Sequence, residues 1–355
     1  MSGAPAVASP RTPRTPRAPR PVVAAPRALR RRRALAWTAA SAIVLLAALG
    51  TLTLGEAGIA PGDALAALVG LGEPGDVRVV QGWRLPRAVL GAAIGILLAW
   101  SGALFQIVTR NPLGSPDVLG FSTGAMTGVL FVMASGSAGV AALTGSAFAG
   151  GLVAAVLVFA LSARSGARGY AIVVTGIAVT AVLGAVNTIL IIRFDDFVAR
   201  SAALWATGSL NGVDGAWVAP ALAAVALGGI LLAWLAPALQ AHEFGEERAA
   251  TLGARPLATR WAAMVLGIAL LAVATAVTGP IAFVALAAPQ LARVVWRSGT
   301  VPLAASGAVG AALLSASDLL SARLFAPAVL PTGLITLCIG GVYLAWMLTR
   351  SKGRS

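Results

Sequence analysis

His242, Cys338 and Lys352 carry the side chains most often used for chemistry, and each is the only one of its kind in the 355 residues. A phosphate-binding loop of the GxxxxGK[ST] type needs a lysine directly after its glycines, where the ammonium meets the terminal phosphates. Lys352 stands in the terminal SKGRS, so this chain does not bind ATP that way. A Ser-His-Asp relay or a histidine-rich metal site is equally out of reach with a single imidazole. Cys338 lies alone in an apolar run, which leaves no disulfide or zinc cluster within the chain. No catalytic residue, metal ligand or cofactor is therefore assigned to it.

The remaining polar residues gather in four segments. In Arg84–Gly128, Arg84 and Arg87 flank Pro86, and proline suits a helix start because its missing N–H is not needed there. The same segment holds the broken turn RNPLGSPD at 110–117, where Ser115 and Asp117 suit the cap of the next helix. The second, His242–Pro256, reads as a short surface helix, with Glu246 and Glu247 at its start and Gly253 and Pro256 past its end. An amphipathic helix outside the membrane fits a groove on a soluble partner. The third, Thr278–Val295, has a tight turn at Gly279-Pro280 and a kink expected at Pro289. The fourth, Asp318–Leu344, carries Arg323 and opens its helix at Pro331-Thr332-Gly333.

The elements that must position these segments follow from composition. Apolar residues make up 58% and charged residues 11%, against about 25% charged in an average soluble domain. So few charges cannot cover a water-facing surface of this size. The fold class expected is all-α, a polytopic membrane protein. Spans of about 20 apolar residues fall near Ala34–Leu54, Pro86–Gln106, Val118–Ala134, Ala147–Ala163, Tyr170–Ile192, Trp217–Pro237, Thr259–Val277, Ile281–Val295, Val301–Ser317 and Gly333–Leu348. The first is longer than a signal-peptide h-region, so no cleavage is expected. Gly91 and Gly95, and Gly120, Gly124 and Gly128, share helix faces where backbones can approach closely.

The net charge of +14 does not point to nucleic acid, because it is concentrated at the ends. Nine arginines lie before the first span: four in the Pro-rich repeat RTPRTPRAPR, Arg27, and the run Arg30 to Arg33. We read residues 1–33 as a disordered cytoplasmic tail that touches anionic lipid, 34–350 as one membrane domain, and 351–355 as a short cytoplasmic tail. With the tail inside, the inner loops hold Arg110, Arg164, Arg168, Arg248, Arg255, Arg260, Arg293 and Arg297. The arginines outside are offset by acids such as Glu73, Asp76, Asp195 and Asp214. That asymmetry implies a cell-membrane protein with both termini cytoplasmic.

Six motifs in order, RLPR (84–87), SGALFQ (101–106), RNPLGSPDVLGFSTG (110–124), GEERAATLGA (245–254), GPIAFVALAAPQLAR (279–293) and LPTGLITLCIGG (330–341), resemble the iron-siderophore and cobalamin permease family of ABC importers. The resemblance covers about Leu35 to Arg350. Gln290, Gly341, LWATGSLNG at 204–212 and LFAP at 324–327 make it similar to the G-type permeases of ferric-enterobactin import. It implies the ten-span type II importer fold, a heterodimer with a D-type permease, two ATPase subunits that bind ATP and magnesium, and a substrate-binding lipoprotein. It further implies that Gly245, Glu246, Glu247, Arg248, Leu252 and Gly253 dock on the ATPase. By the same resemblance Arg84, Arg87 and Arg323 meet the acidic lobes of the binding protein. The pathway implied runs along the fifth and tenth spans, past Thr175, Thr180, Asn187, Thr188, Thr332 and Thr336. The expected function is ATP-driven import of a ferric siderophore of the catecholate type. The alternatives are cobalamin or haem as cargo, or an ATP-independent secondary transporter. A proton relay would need a charge cluster within the spans, and hydropathy places none there.

Overall fold

The computed structural model describes residues 27–54, 58–136, 139–163, 169–243, 245, 251, 255–326 and 328–352. Helices account for nearly all of them: α1 (Arg27–Thr53), α2 (Pro61–Leu68), α3 (Pro74–Val79), α4 (Leu85–Thr109), α5 (Phe121–Ala134), α6 (Val140–Ala163) and α7 (Gly169–Ile192). They continue with α8 (Asp196–Thr207), α9 (Val218–Glu243), α10 (Pro256–Thr278), α11 (Val284–Trp296), α12 (Leu303–Arg323) and α13 (Thr332–Lys352). Among the described residues, seven helices are long and apolar enough to cross a membrane, and three shorter apolar ones complete the ten that hydropathy locates. Contacts at both ends show α1 running opposite to α4 and to α11. Arg32 donates to the Val295 carbonyl at 2.9 Å at the end where α1 begins, here called proximal. Arg84 donates to the Leu52 carbonyl at 2.6 Å at the other, distal end.

Hydropathy misjudged lengths in both directions. α1 starts at Arg27, so Arg27 to Arg33 form its first two turns instead of belonging to the tail. α5 has 14 residues and α11 has 13, which is about 20 Å of helix against a core of about 30 Å. Each is preceded by irregular backbone, the 3₁₀ turn Pro116–Leu119 and the stretch 279–283. The short helices α2, α3 and α8, of 8, 6 and 12 residues, escape a 20-residue window altogether. α8 is fixed by the Asp195 carboxylate, which accepts from the Val198 N–H at 2.9 Å.

Pro86 does not begin its helix, as its type alone suggested. α3 runs into α4 through a π-helical turn at Val80–Arg84, in which the Leu85 N–H reaches the Val80 carbonyl. A proline ring within a helix clashes with the carbonyl four residues back. One widened turn relieves that clash while keeping the helix continuous.

Removing apolar surface from lipid gives helices little drive to associate, so close packing carries the assembly. Its axis is α4, 72% buried over its apolar window, where α7 is 17% buried. A Cβ on Gly95 would strike the Gly310 backbone of α12, and one on Gly102 the Ala285 backbone of α11. Gly124 and Gly128 meet Gly150 and Ser146 of α6 in the same way. Leu90, Ile94, Leu97 and Leu104 fill the space between these contacts with no exposed surface, or almost none.

Candidate functional site

At the distal end, a cavity of about 730 Å³ opens between α1, α4, α12 and the loop before α9. Arg84, Arg87 and Arg323 all line it, together with Asp214 and Asp318. The π turn aims Arg84, and the last turn of α12 supplies Arg323. Arg84 Nη2 and Arg323 Nε are buried without a hydrogen-bond partner among the described residues. Arg87 is committed differently. Its Nε and Nη2 donate to the two Asp318 carboxylate oxygens at 2.8 and 2.9 Å, a bidentate pair. The Asp318 side chain is 4% exposed and that of Arg87 is 21%. Thr332 at the start of α13 donates to Asp318 Oδ1 at 2.9 Å and accepts from the Leu210 N–H at 3.4 Å. One carboxylate thus ties α4, α12, α13 and the loop before α9.

Asp318 was missed as a site residue because hydropathy ended its span at Ser317, whereas α12 continues to Arg323. The spans are therefore not free of charge: this pair lies within two of them. A signal was present in the sequence. After Glu247, Asp318 is the only carboxylate side chain in the chain.

Beside this network, three motifs far apart in sequence meet backbone to backbone. Ser209 donates to the Thr278 carbonyl at 2.8 Å, and Gly333 to the Gly208 carbonyl at 3.0 Å. Gly208 is at φ +70° and Gly279 at φ +71°, a region that favours glycine. A Cβ on Gly333 would overlap the Thr207 carbonyl. The glycines of LWATGSLNG, GPIAF and LPTG therefore serve one junction.

The expected pathway residues divide into two groups. Thr188 is exposed and bonds within its own helix to the Gly184 carbonyl at 3.0 Å. Thr175 and Thr180 are half-buried, and Thr180 Oγ1 lies against Gly120 with no hydrogen-bond partner. Asn187, Thr332 and Thr336 are buried. Asn187 accepts from Thr127 at 2.7 Å and donates to the Thr123 carbonyl at 3.1 Å, which joins α7 to α5. Thr336 donates to the Gly333 carbonyl at 2.9 Å.

At the proximal end, Gln290 donates to Gln106 at 2.6 Å, and Gln106 donates to the Leu286 carbonyl at 2.9 Å. The residues of SGALFQ and APQLAR thereby clasp α4 to α11. Ser115 caps its 3₁₀ turn as expected, accepting from the Asp117 N–H. The Asp117 carboxylate accepts from Ser122 at 2.6 Å and Ser115 at 3.2 Å. Burial pushes this carboxyl above the ordinary carboxylate range, and the two hydroxyl donors oppose that rise. Of the expected coupling residues, Gly245 follows α9 at φ +111°, its N–H bonded to the His242 carbonyl at 3.1 Å. Glu246, Glu247, Arg248, Leu252 and Gly253 lie outside the described residues. Among the described residues no group of His, Cys, Asp and Glu could hold a metal.

Comparison with known proteins adds independent findings. The model of the FecCD transport family matches residues 42–350. The ferric enterobactin transport system permease protein of Escherichia coli (strain K12) is 37% identical over 308 residues, 87% of this chain and 93% of that protein. The hemin transport system permease protein of Yersinia pestis is 34% identical, over 76% of this chain and 82% of that protein. Among solved structures, an inward-facing metal-chelate type ABC transporter superposes with a TM-score of 0.78 at 23% identity, covering 88% of this chain and 98% of that one. At that identity the likeness speaks for the fold alone.

Proposed function

Because the chain belongs to the FecCD transport family, we propose that it carries a ferric catecholate siderophore of the enterobactin type across the cytoplasmic membrane. It is a multi-pass membrane permease of an ABC importer for iron-siderophore or metal-chelate substrates. The observation that carries the catecholate cargo is the 37% identity to a ferric enterobactin permease over 93% of that relative. In the proposed assembly this chain pairs with a D-type permease above two ATPase subunits, which bind ATP and magnesium. A lipoprotein delivers the chelate. The proximal end, with Arg30 to Arg33, Arg255, Arg293 and Arg297, faces the cytoplasm.

The geometry supports a division of labour. Arg84 and Arg323, which line the distal cavity and have no carboxylate hydrogen-bonded to them among the described residues, are suited to meet carboxylates of the binding protein. Such charges steer encounter and set register more than they add affinity. Arg87, already paired, shapes the floor between them. Thr175, Thr180 and Thr188 are proposed as pathway wall, while Asn187, Thr332 and Thr336 hold α7 and α13 in place behind it. Gly245, Glu246, Glu247, Arg248, Leu252 and Gly253 are proposed to receive the ATPase.

Uptake of labelled ferric enterobactin by iron-starved cells, with and without the gene, tests the reading. Loss of uptake without the gene, and uptake with the gene undiminished by excess cobalamin or haem as competitor, is the expected result. Undiminished uptake in a strain with no second siderophore system would overturn it. Competition by haem or cobalamin would reassign the cargo, since permeases for both stand among the relatives.

A further inference from the structure

A second cavity, of about 540 Å³, lies at the proximal end between α1, α9 and the loop joining α11 to α12. Its rim is polar and basic, with Arg33, Gln240, Ser298 and Thr300. Its depth is apolar: Leu232, Ala233 and Ala236 of α9 lead down to Gly229. From Gln240 to Gly229 is eleven residues, about 16 Å along the helix. That is half of a hydrocarbon core of about 30 Å, the depth of one leaflet. The neighbouring α9 residues Ile230, Leu231 and Trp234 are exposed apolar side chains, so the cleft opens toward lipid.

Three features equip its rim for an anionic headgroup. Arg33 donates through Nε to the Trp296 carbonyl at 3.3 Å, which holds its guanidinium over the mouth, and Arg32 is anchored likewise on Val295. Trp296 is 5% exposed, and its indole Nε1 is buried with no hydrogen-bond partner. A buried donor left unmade costs free energy that an acceptor oxygen would recover. Trp37 packs edge-on against Trp296, with ring centroids 5.3 Å apart, at the level where aromatic residues anchor to the membrane interface. Glu243 also lines the cleft and offsets the charge of Arg33, but its carboxylate is engaged by the Val301 N–H at 2.9 Å and by the charge of Arg293. Arg32, anchored beside Arg33, adds a second positive charge next to the mouth.

We propose that this cleft binds one anionic phospholipid, its phosphate held by Arg33 and the Trp296 indole and one acyl chain laid along α9 to Gly229. Basic pockets between spans attract such headgroups on general electrostatic grounds. The leaflet-length apolar floor is what separates a seat for lipid from a diffuse basic surface.

The test is native mass spectrometry of the full-length, delipidated protein, titrated with phosphatidylglycerol and with phosphatidylcholine of the same acyl chains. Wild type should retain the first phosphatidylglycerol preferentially. Arg33→Gln should weaken that step about fivefold, the effect of one basic residue near an anionic phosphate. Ala236→Phe, which fills the apolar floor without changing charge, should weaken it at least as much. Arg31→Gln, a neighbour that does not line the cleft, should change it less than about twofold, since attraction between charges falls off with distance in salt. Equal retention of the two lipids would overturn the proposal. So would equal losses from Arg31→Gln and Arg33→Gln with no effect of Ala236→Phe, which would mark diffuse attraction to the basic turn. Unchanged elution on size exclusion shows that each variant is folded.

Discussion

Arg87 and Asp318 form a pair whose two halves are unequally buried, and that inequality makes a sharp prediction. Removing one partner of a buried ion pair costs about 3–5 kcal/mol, because a charge is left uncompensated. Arg87→Ala strands the Asp318 carboxylate, whose side chain is 4% exposed, with the Thr332 hydroxyl as its remaining donor. The full cost of about 3–5 kcal/mol is expected there. Asp318→Ala strands a guanidinium that is 21% exposed on the wall of a 730 Å³ cavity, where water can reach it. What remains is partial desolvation and the loss of the Thr332 hydrogen bond, about 2 kcal/mol together. Arg87→Leu with Asp318→Leu removes both charges and should come within about 1 kcal/mol of wild type. The order of thermal stability in detergent, followed by circular dichroism, is then wild type close to the double leucine variant, next Asp318→Ala, and Arg87→Ala lowest. The reasoning fails if the two alanine variants melt together, or if the double variant melts below both.

Three further predictions concern packing and the proximal turn. Gly102→Ala pushes a Cβ into the Ala285 backbone and should cost about 1–3 kcal/mol, whereas Gly341→Ala meets open space. Fluorescence-detected size exclusion should show less monodisperse protein for the first and no loss for the second. Gln290→Leu leaves the Gln106 side-chain oxygen without its donor and should cost about 1–3 kcal/mol. Adding Gln106→Leu should restore part of the melting temperature, and no recovery would argue against the clasp. Because burial raises the Asp117 carboxyl, its contribution to stability is full below the unfolded carboxylate value and is lost as pH rises through the folded one. Relative to Asp117→Asn, wild type should therefore melt progressively lower as pH rises above the ordinary carboxylate value of about 4, and a constant difference would contradict this.

Much of the fold was legible because a spanning helix announces itself by one quantity, a run of apolar residues, and all ten runs coincide with helices. Three kinds of feature were not. Short helices such as α2 and α3 carry too few residues to register in a span-length window. Pro86 reads as a helix start by type, and only the continuity of α3 with α4 reveals the π turn that accommodates it. Phe283, at φ +69° before α11 and against Gly340 of α13, gives no hint of either property in sequence. The distal site was half legible. The arginines were found from their motifs, but the carboxylate that fixes Arg87 lies 231 residues away. Sequence distance hides such a pairing, even though the isolation of Asp318 among uncharged residues marked it as a group in need of a partner.

The central claim is that this permease moves its chelate only as part of an ATP-driven assembly. ATP-dependent uptake of labelled ferric enterobactin into proteoliposomes measures it most directly. The vesicles would hold this chain with its partner permease and ATPase subunits, and receive the loaded binding protein on the outer face. Uptake should require both ATP and the binding protein, and should fall sharply when Glu247 and Arg248 are replaced by residues of opposite charge. Undiminished uptake in vesicles holding this chain without an ATPase, driven by a proton gradient alone, would contradict the account.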